Sequence, residues 1–174
     1  TVTAWNPITG EIIYKEHNPN VITKLGKGDM LYLLFGLSLA SSLVALGAGS
    51  ASTAATSSDT RLGTELIGNA TRKPIGDTSS TASTFVALTN SNVIDDVIVI
   101  GGNTYEKRLD CRAIFPTSDG NNGSVFREYG LFTTNILPGT PTGTSGWPYN
   151  HFVASGNINK DSSIEIIIDT TIRF

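Results

Sequence analysis

The chain has one cysteine, two histidines and one methionine among 174 residues. A lone Cys111 cannot close an internal disulfide, and without a second Cys or a Cys/His cluster there is no zinc framework. His17 and His151 stand far apart in sequence, whereas metal sites usually need three or four ligands, so no metal is expected. Charge is scarce as well, at 16% of residues against roughly 25% in an average soluble domain. The 12 basic and 15 acidic residues leave a formal net charge of -3 with no long run of either sign, which excludes an obvious nucleic-acid footprint. The longest apolar stretch, 30–48, is interrupted by Ser38, Ser41 and Ser42, so no membrane insertion is expected. The opening residues include Trp5, Asn6 and Pro7 and lack a basic segment followed by an apolar one, so no signal peptide is expected.

Motifs for chemistry are missing in the same way. Gly47-Ala48-Gly49 is followed by Ser52 where a dinucleotide fingerprint wants glycine, and Gly26-Lys27-Gly28 lacks the Walker spacing. No G-x-S-x-G elbow occurs. The run Asp119-Gly120-Asn121-Asn122-Gly123 lacks the further carboxylates and terminal Glu of a helix–loop–helix calcium site and reads as a turn. The expectation is a protein that is not an enzyme, with no catalytic residues and no cofactor.

What is there is β-sheet material. With 39% hydrophobic residues the chain can bury one core, and its length suits a single domain. Strands are expected over 42–47, 84–89, 93–100, 105–115, 125–133, 151–154 and 163–174, a spacing that suggests an antiparallel β-sandwich or open barrel. Glycine- and Asn-rich turns at 101–103 and 118–123 propose that three of these form a meander. In the last strand Ile164, Ile166, Ile168, Ile172 and Phe174 share one parity and should face the core. Within 125–133, strict alternation would put Phe126, Glu128, Gly130 and Phe132 on one face and Arg127, Tyr129 and Leu131 on the other.

One packed N-terminal α-helix is expected within 21–36, opening at Val21-Ile22-Thr23, with Thr23 the candidate N-cap and Gly36 the candidate C-cap residue. Residues 1–20 should form an arm or hairpin, and 21–174 the single domain with long loops at 48–60 and 135–150. The first loop is built of Ala, Ser, Thr and Gly, too small for a core, and is expected to be mobile or laid across a partner. Glu65 with Arg72, or Glu128 with Arg127, would fasten the 50–80 region to the sheet. Cys111 alternates with Leu109 and Ala113 and should be a small core residue. Trp5 and Trp147, large aromatics in polar segments, are candidate interface anchors. Trp147, Tyr149 and His151 together form a candidate receptor contact that would stack on and hydrogen-bond a host surface glycan.

Several short segments recur here in a particular order: Val21-Ile22-Thr23-Lys24-Leu25-Gly26, Val44-Ala45-Leu46-Gly47-Ala48-Gly49, Asp59-Thr60-Arg61-Leu62-Gly63-Thr64-Glu65, Arg72, and Glu128-Tyr129-Gly130-Leu131-Phe132. In this order, ahead of an Ile-rich closing strand, they resemble a family of bacteriophage virion proteins, the small tail-fibre, collar and baseplate-associated subunits. That family shows an opening helix, an "LGTG" strand, a "DT-x-L-x-x-E" segment, an arginine and an "E-x-GLF" strand. The resemblance covers 21–174; Ala48 stands where Thr is common, and the Thr/Pro/Gly loop 138–148 is an insertion. It implies a structural virion subunit assembled in the bacterial host cytoplasm, with itself in a symmetric oligomer and other phage tail or capsid proteins as partners. A capsid decoration or cement protein is the alternative within that class, and a carbohydrate-binding receptor-recognition module is the alternative outside it.

Overall fold

The computed structural model describes residues 1–17, 21–24, 26–27, 43–59, 62–66, 72–76, 93–100, 102–120, 124–133 and 148–173. They are mainly β, in two antiparallel five-stranded sheets. The first sheet runs β2 (Ile12–Glu16), β1 (Val2–Trp5), β10 (Glu165–Arg173), β7 (Asn103–Phe115), β6 (Val93–Ile100). The second runs β3 (Val21–Ile22), β9 (Pro148–Asn159), β8 (Val125–Thr133), β4 (Leu43–Gly49), β5 (Lys73–Pro74).

Alternation explains the core. In β10, Ile166, Ile168, Thr170 and Ile172 are buried while Ile167, Asp169 and Thr171 point the other way, as a period of two requires. Leu109, Cys111, Ala113 and Phe115 of β7 repeat the pattern beside it, in the register Ile166↔Phe115 to Ile172↔Leu109. A single apolar cluster draws these together with Leu46, Ala48, Phe126, Tyr129, Leu131 and Ile158 of the second sheet. Phe115 and Phe126, one from each sheet, meet edge to face with centroids 5.2 Å apart.

Both sides are also stitched. The segment after β5 leaves the second sheet and pairs Gly76 with Arg112 of β7 through two backbone hydrogen bonds of 2.8 and 2.9 Å. On the other side, Glu16 and the Tyr14 hydroxyl of β2 accept the backbone N–H groups of Ser155 and Gly156 in β9. Donors that would otherwise face outward at a strand edge are thereby satisfied.

Several expectations need correction. The three-stranded meander does not form: β6 and β7 are a hairpin, but β8 crosses to the other sheet and pairs with β4 and β9. The connection from Pro116 to Ser124 is long enough to make that crossing, which a two-residue turn is not. The strict alternation in β8 fails at Arg127, where a register shift lies between Phe126 and Glu128. Phe126 therefore joins Tyr129 and Leu131 in the core, leaving Glu128, Gly130 and Phe132 on the outer face.

Val21 and Ile22, placed at the opening of the helix by the sequence, are a short strand paired with His151 and Asn150. Thr23 does cap a helical turn, with its hydroxyl accepting Gly26 N–H at 3.0 Å and its carbonyl accepting Lys27 N–H at 2.9 Å. Helical geometry among the described residues is confined to that turn; positions 28–36 of the expected helix lie outside them, as do the expected strand 84–89 and residues 134–147. Pro148–Asn150, assigned from sequence to a loop, open β9. The N-terminal residues form a hairpin integrated into the first sheet, turned by Asn6, whose side chain accepts Ile8 and Thr9 N–H, and by Gly10 at φ 74.

Candidate functional site

The outer face of the second sheet has a floor without side chains. Gly47 and Gly49 of β4 and Gly130 of β8 lie side by side there, with Gly47 paired to Gly130. A Cβ on Gly130 would sit 3.0–3.2 Å from Asn150 O, Leu62 Cδ2 and Pro148 Cβ, and one on Gly49 would collide with the Glu128 carboxylate and Thr64 O. These glycines are required by close approach. What approaches is the chain's own segment after β4.

That segment, residues 50–59 and 62–66, is strapped across the trough. Its far end bonds alongside β4 through Ser50 N–H to Thr64 O and Leu66 N–H to Ala48 O, at 2.9 and 2.8 Å. Its middle is tied to the helical turn by Lys24 N–H to Ser57 O at 2.7 Å. Leu62 packs with Ala45 and Phe132 in a small apolar cluster on this face. The loop of small residues expected to be mobile or laid on a partner is thus anchored to its own sheet.

Charged groups complete the anchoring. Glu128, with no solvent exposure, accepts Gly63 N–H at 2.5 Å and Thr64 N–H at 3.2 Å. Next to it on β9, His151 is 3% exposed and lies opposite Gly130 in the register. His151 Nδ1 is 2.6 Å from Asp59 Oδ2 and Nε2 is 2.8 Å from Glu128 Oε1, the latter off the line of a well-aligned hydrogen bond. Glu65 and Arg72 form a two-pronged ion pair, at 2.5 and 2.9 Å, and the guanidinium carbon lies 3.4 Å over the Phe132 ring.

Burial alone would push the His151 pKa down, but the hydrogen bonds and charges of Glu128 and Asp59 outweigh it and leave it raised. Burial likewise pushes Glu128 up, and the imidazole with the two backbone N–H groups brings it below its usual range. Asp59 is also lowered, its desolvation outweighed by Thr56 and His151. Both ring nitrogens are engaged by carboxylates, so the ring as held offers no lone pair to a substrate. The chemistry is that of a clamp.

A second buried charge lies elsewhere. Lys160, at the end of β9, has no exposed surface, donates from Nζ to Pro116 O at 2.7 Å, and is pushed down by burial to about 8. Lys73 forms an ion pair with Asp119 nearby. Among the described residues no group of three or more His, Cys, Asp and Glu is placed to hold a metal ion, and no helix is long and apolar enough to cross a membrane.

The residues singled out from sequence have separate fates. Trp5 is half-buried in β1 and its indole N–H donates to Glu165 Oε1 at 3.0 Å, across from it in β10. Tyr149 belongs to the core and His151 lies under the strap, so neither ring faces solvent in this chain; Trp147 lies outside the described residues. Cys111 is buried, as expected, and its thiol is pushed up to about 12. Glu65 does pair with Arg72, while Glu128 bonds the strap and His151 rather than Arg127, which donates to Ala154 O and Asn157 Oδ1. Sequence reasoning missed Asp59 and Glu128 as partners of His151. The only hint of them was their place in the ordered segments that also contain Leu62, Glu65 and Gly130. No family model, no curated protein and no solved structure matches this chain.

Proposed function

We propose that the chain is a structural subunit of a bacteriophage virion, tail-associated, that works by symmetric assembly with copies of itself and adhesion to neighbouring virion proteins. One observation carries the reading. The residues on which the resemblance rests, Asp59, Leu62, Glu65, Arg72, Glu128, Gly130 and Phe132, converge on a packed clamp that fixes a loop to a sheet. Such a clamp stiffens a scaffold; it does not open a cleft. In this reading the two sheets pack as a sandwich, and the helix capped by Thr23 packs beside β9.

Surface composition supports assembly. Ile8, Ile12 and Ile13 of the N-terminal hairpin are exposed, as is Val99 on β6 at the opposite edge of the same sheet. Apolar side chains at the two edge strands are suited to contacts between subunits. Size-exclusion chromatography with light scattering, combined with proteomics of purified particles, tests the proposal: an oligomer present in virions is expected, and a stable monomer absent from them overturns it. Gold labelling of intact particles then reads the address, and labels on the shell in place of the tail would move the subunit to a capsid decoration role.

A further inference from the structure

His151 carries an implication that rests on the geometry of the clamp and not on the virion reading. A neutral imidazole has one N–H and one bare lone pair. Here each nitrogen faces a carboxylate oxygen, at 2.6 Å for Asp59 and 2.8 Å for Glu128. Only the doubly protonated ring can offer a proton to both. Removing one proton turns an attractive contact into a lone pair held against a carboxylate in a poorly hydrated place.

The two contacts are not equivalent. Glu128 is wholly buried and also holds Gly63 and Thr64 N–H, whereas the Asp59 side chain is 25% exposed and bonds otherwise to Thr56, on its own side of the strap. An unpaired charge is costlier where water cannot reach it. Although Nδ1–Asp59 is the aligned hydrogen bond and Nε2 lies off the line to Glu128, a singly protonated ring therefore turns to keep its proton toward Glu128 and lets Asp59 go. Asp59 and Glu128 are the charged groups that face the ring; Glu65 on the strap is neutralised by Arg72, and Lys24, whose backbone N–H holds Ser57, has an exposed side chain.

We propose that residues 50–59 form a proton-gated strap, latched to the sheet while His151 is doubly protonated and released at its Asp59 end when the ring loses one proton. Leu62, Gly63 and Thr64 stay anchored by Glu128 and mark the hinge side. The raised pKa of His151 sets the sense of the switch: closed in mild acid, open in alkali.

The test is a pH titration of the isolated chain by NMR, following the His151 ring and the protection of the Lys24 amide, whose acceptor, Ser57 O, lies in the strap. Between the ordinary histidine value of 6.5 and the raised value of the closed form, protection corrected for intrinsic exchange should fall by about tenfold per pH unit. Asp59→Asn removes the charge that demands a second proton, so its protection should be flat over the same range; this position is partly exposed and the variant should fold. His151→Gln should show low Lys24 protection at every pH. Protection in the native chain that stays flat while the ring titrates overturns the proposal, and so does a ring that titrates below 6.5. Because the measurement needs no assembly, its failure leaves the virion reading standing, and a failure of that reading leaves the switch standing.

Discussion

Glu128 shows at the scale of one residue how a charge becomes tolerable inside a protein. It has no exposed surface, but it accepts two backbone N–H groups and faces an imidazole, so its ionised form is better solvated there than burial alone would allow. Truncation to alanine would leave those donors and the ring without an acceptor. Glu128→Ala should therefore cost about 3–5 kcal/mol, measured by urea unfolding, with Glu128→Gln costing less because the amide oxygen still accepts. Gly49→Ala tests the trough from the other side. Its Cβ would meet both the Glu128 carboxylate and the Thr64 carbonyl, so a loss of about 1–3 kcal/mol is expected although alanine is otherwise the better-behaved residue. A wild-type-like stability for Gly49→Ala would mean that the strap does not lie on the sheet.

Among the elements, the short segment from Lys73 to Gly76 ties the two sheets together. Lys73 and Pro74 pair with β4 and Gly76 pairs with β7, so three residues within a stretch of four bond to both sheets. Gly76→Pro would delete the N–H that bonds Arg112 O at 2.9 Å and should lower stability by about 3 kcal/mol or more, visible as an earlier urea midpoint. The strands themselves were legible in the sequence: β6 and β8 fall where β-prone runs end at turn residues, and the Ile parity of β10 names its buried face. The irregularity at Arg127, where residues 154–157 of β9 stand opposite one residue of β8, was not legible, because extra residues leave the composition of a strand unchanged and alter only its pairing. Nor was the partner of β8, since the Pro116–Ser124 connection reads as turn-forming whether the chain folds back or crosses over. The clamp was hidden for a related reason. Asp59, Glu128 and His151 are distant in sequence, and nearest-neighbour reasoning pairs Glu128 with the adjacent Arg127, whose side chain the bulge sends to Ala154 and Asn157.

For the whole molecule the buried titratable groups define how stability follows pH. Asp59 and Glu128 have folded-state values below their ordinary 3.8 and 4.5, so what they contribute is present above those ordinary values and lost as pH falls through the lower folded ones. His151 is shifted the other way: its contribution is complete below 6.5 and disappears as pH rises through its raised value. The clamp is therefore strongest from about 4.5 to 6.5. Lys160 acts in the opposite sense to His151 at higher pH. Its folded value of about 8 lies below the ordinary 10.5, so folding carries a penalty while the amine is charged, and that penalty is relieved as pH rises from about 8 to 10.5. Urea midpoints across this span should decline above 6.5 and then level or recover above about 8. Lys160→Met should raise the midpoint at neutral pH and abolish the recovery, while His151→Gln should abolish the decline. A midpoint that climbs steadily from 6.5 to 8 in the native chain would show that the imidazolium between Asp59 and Glu128 does not stabilise the fold.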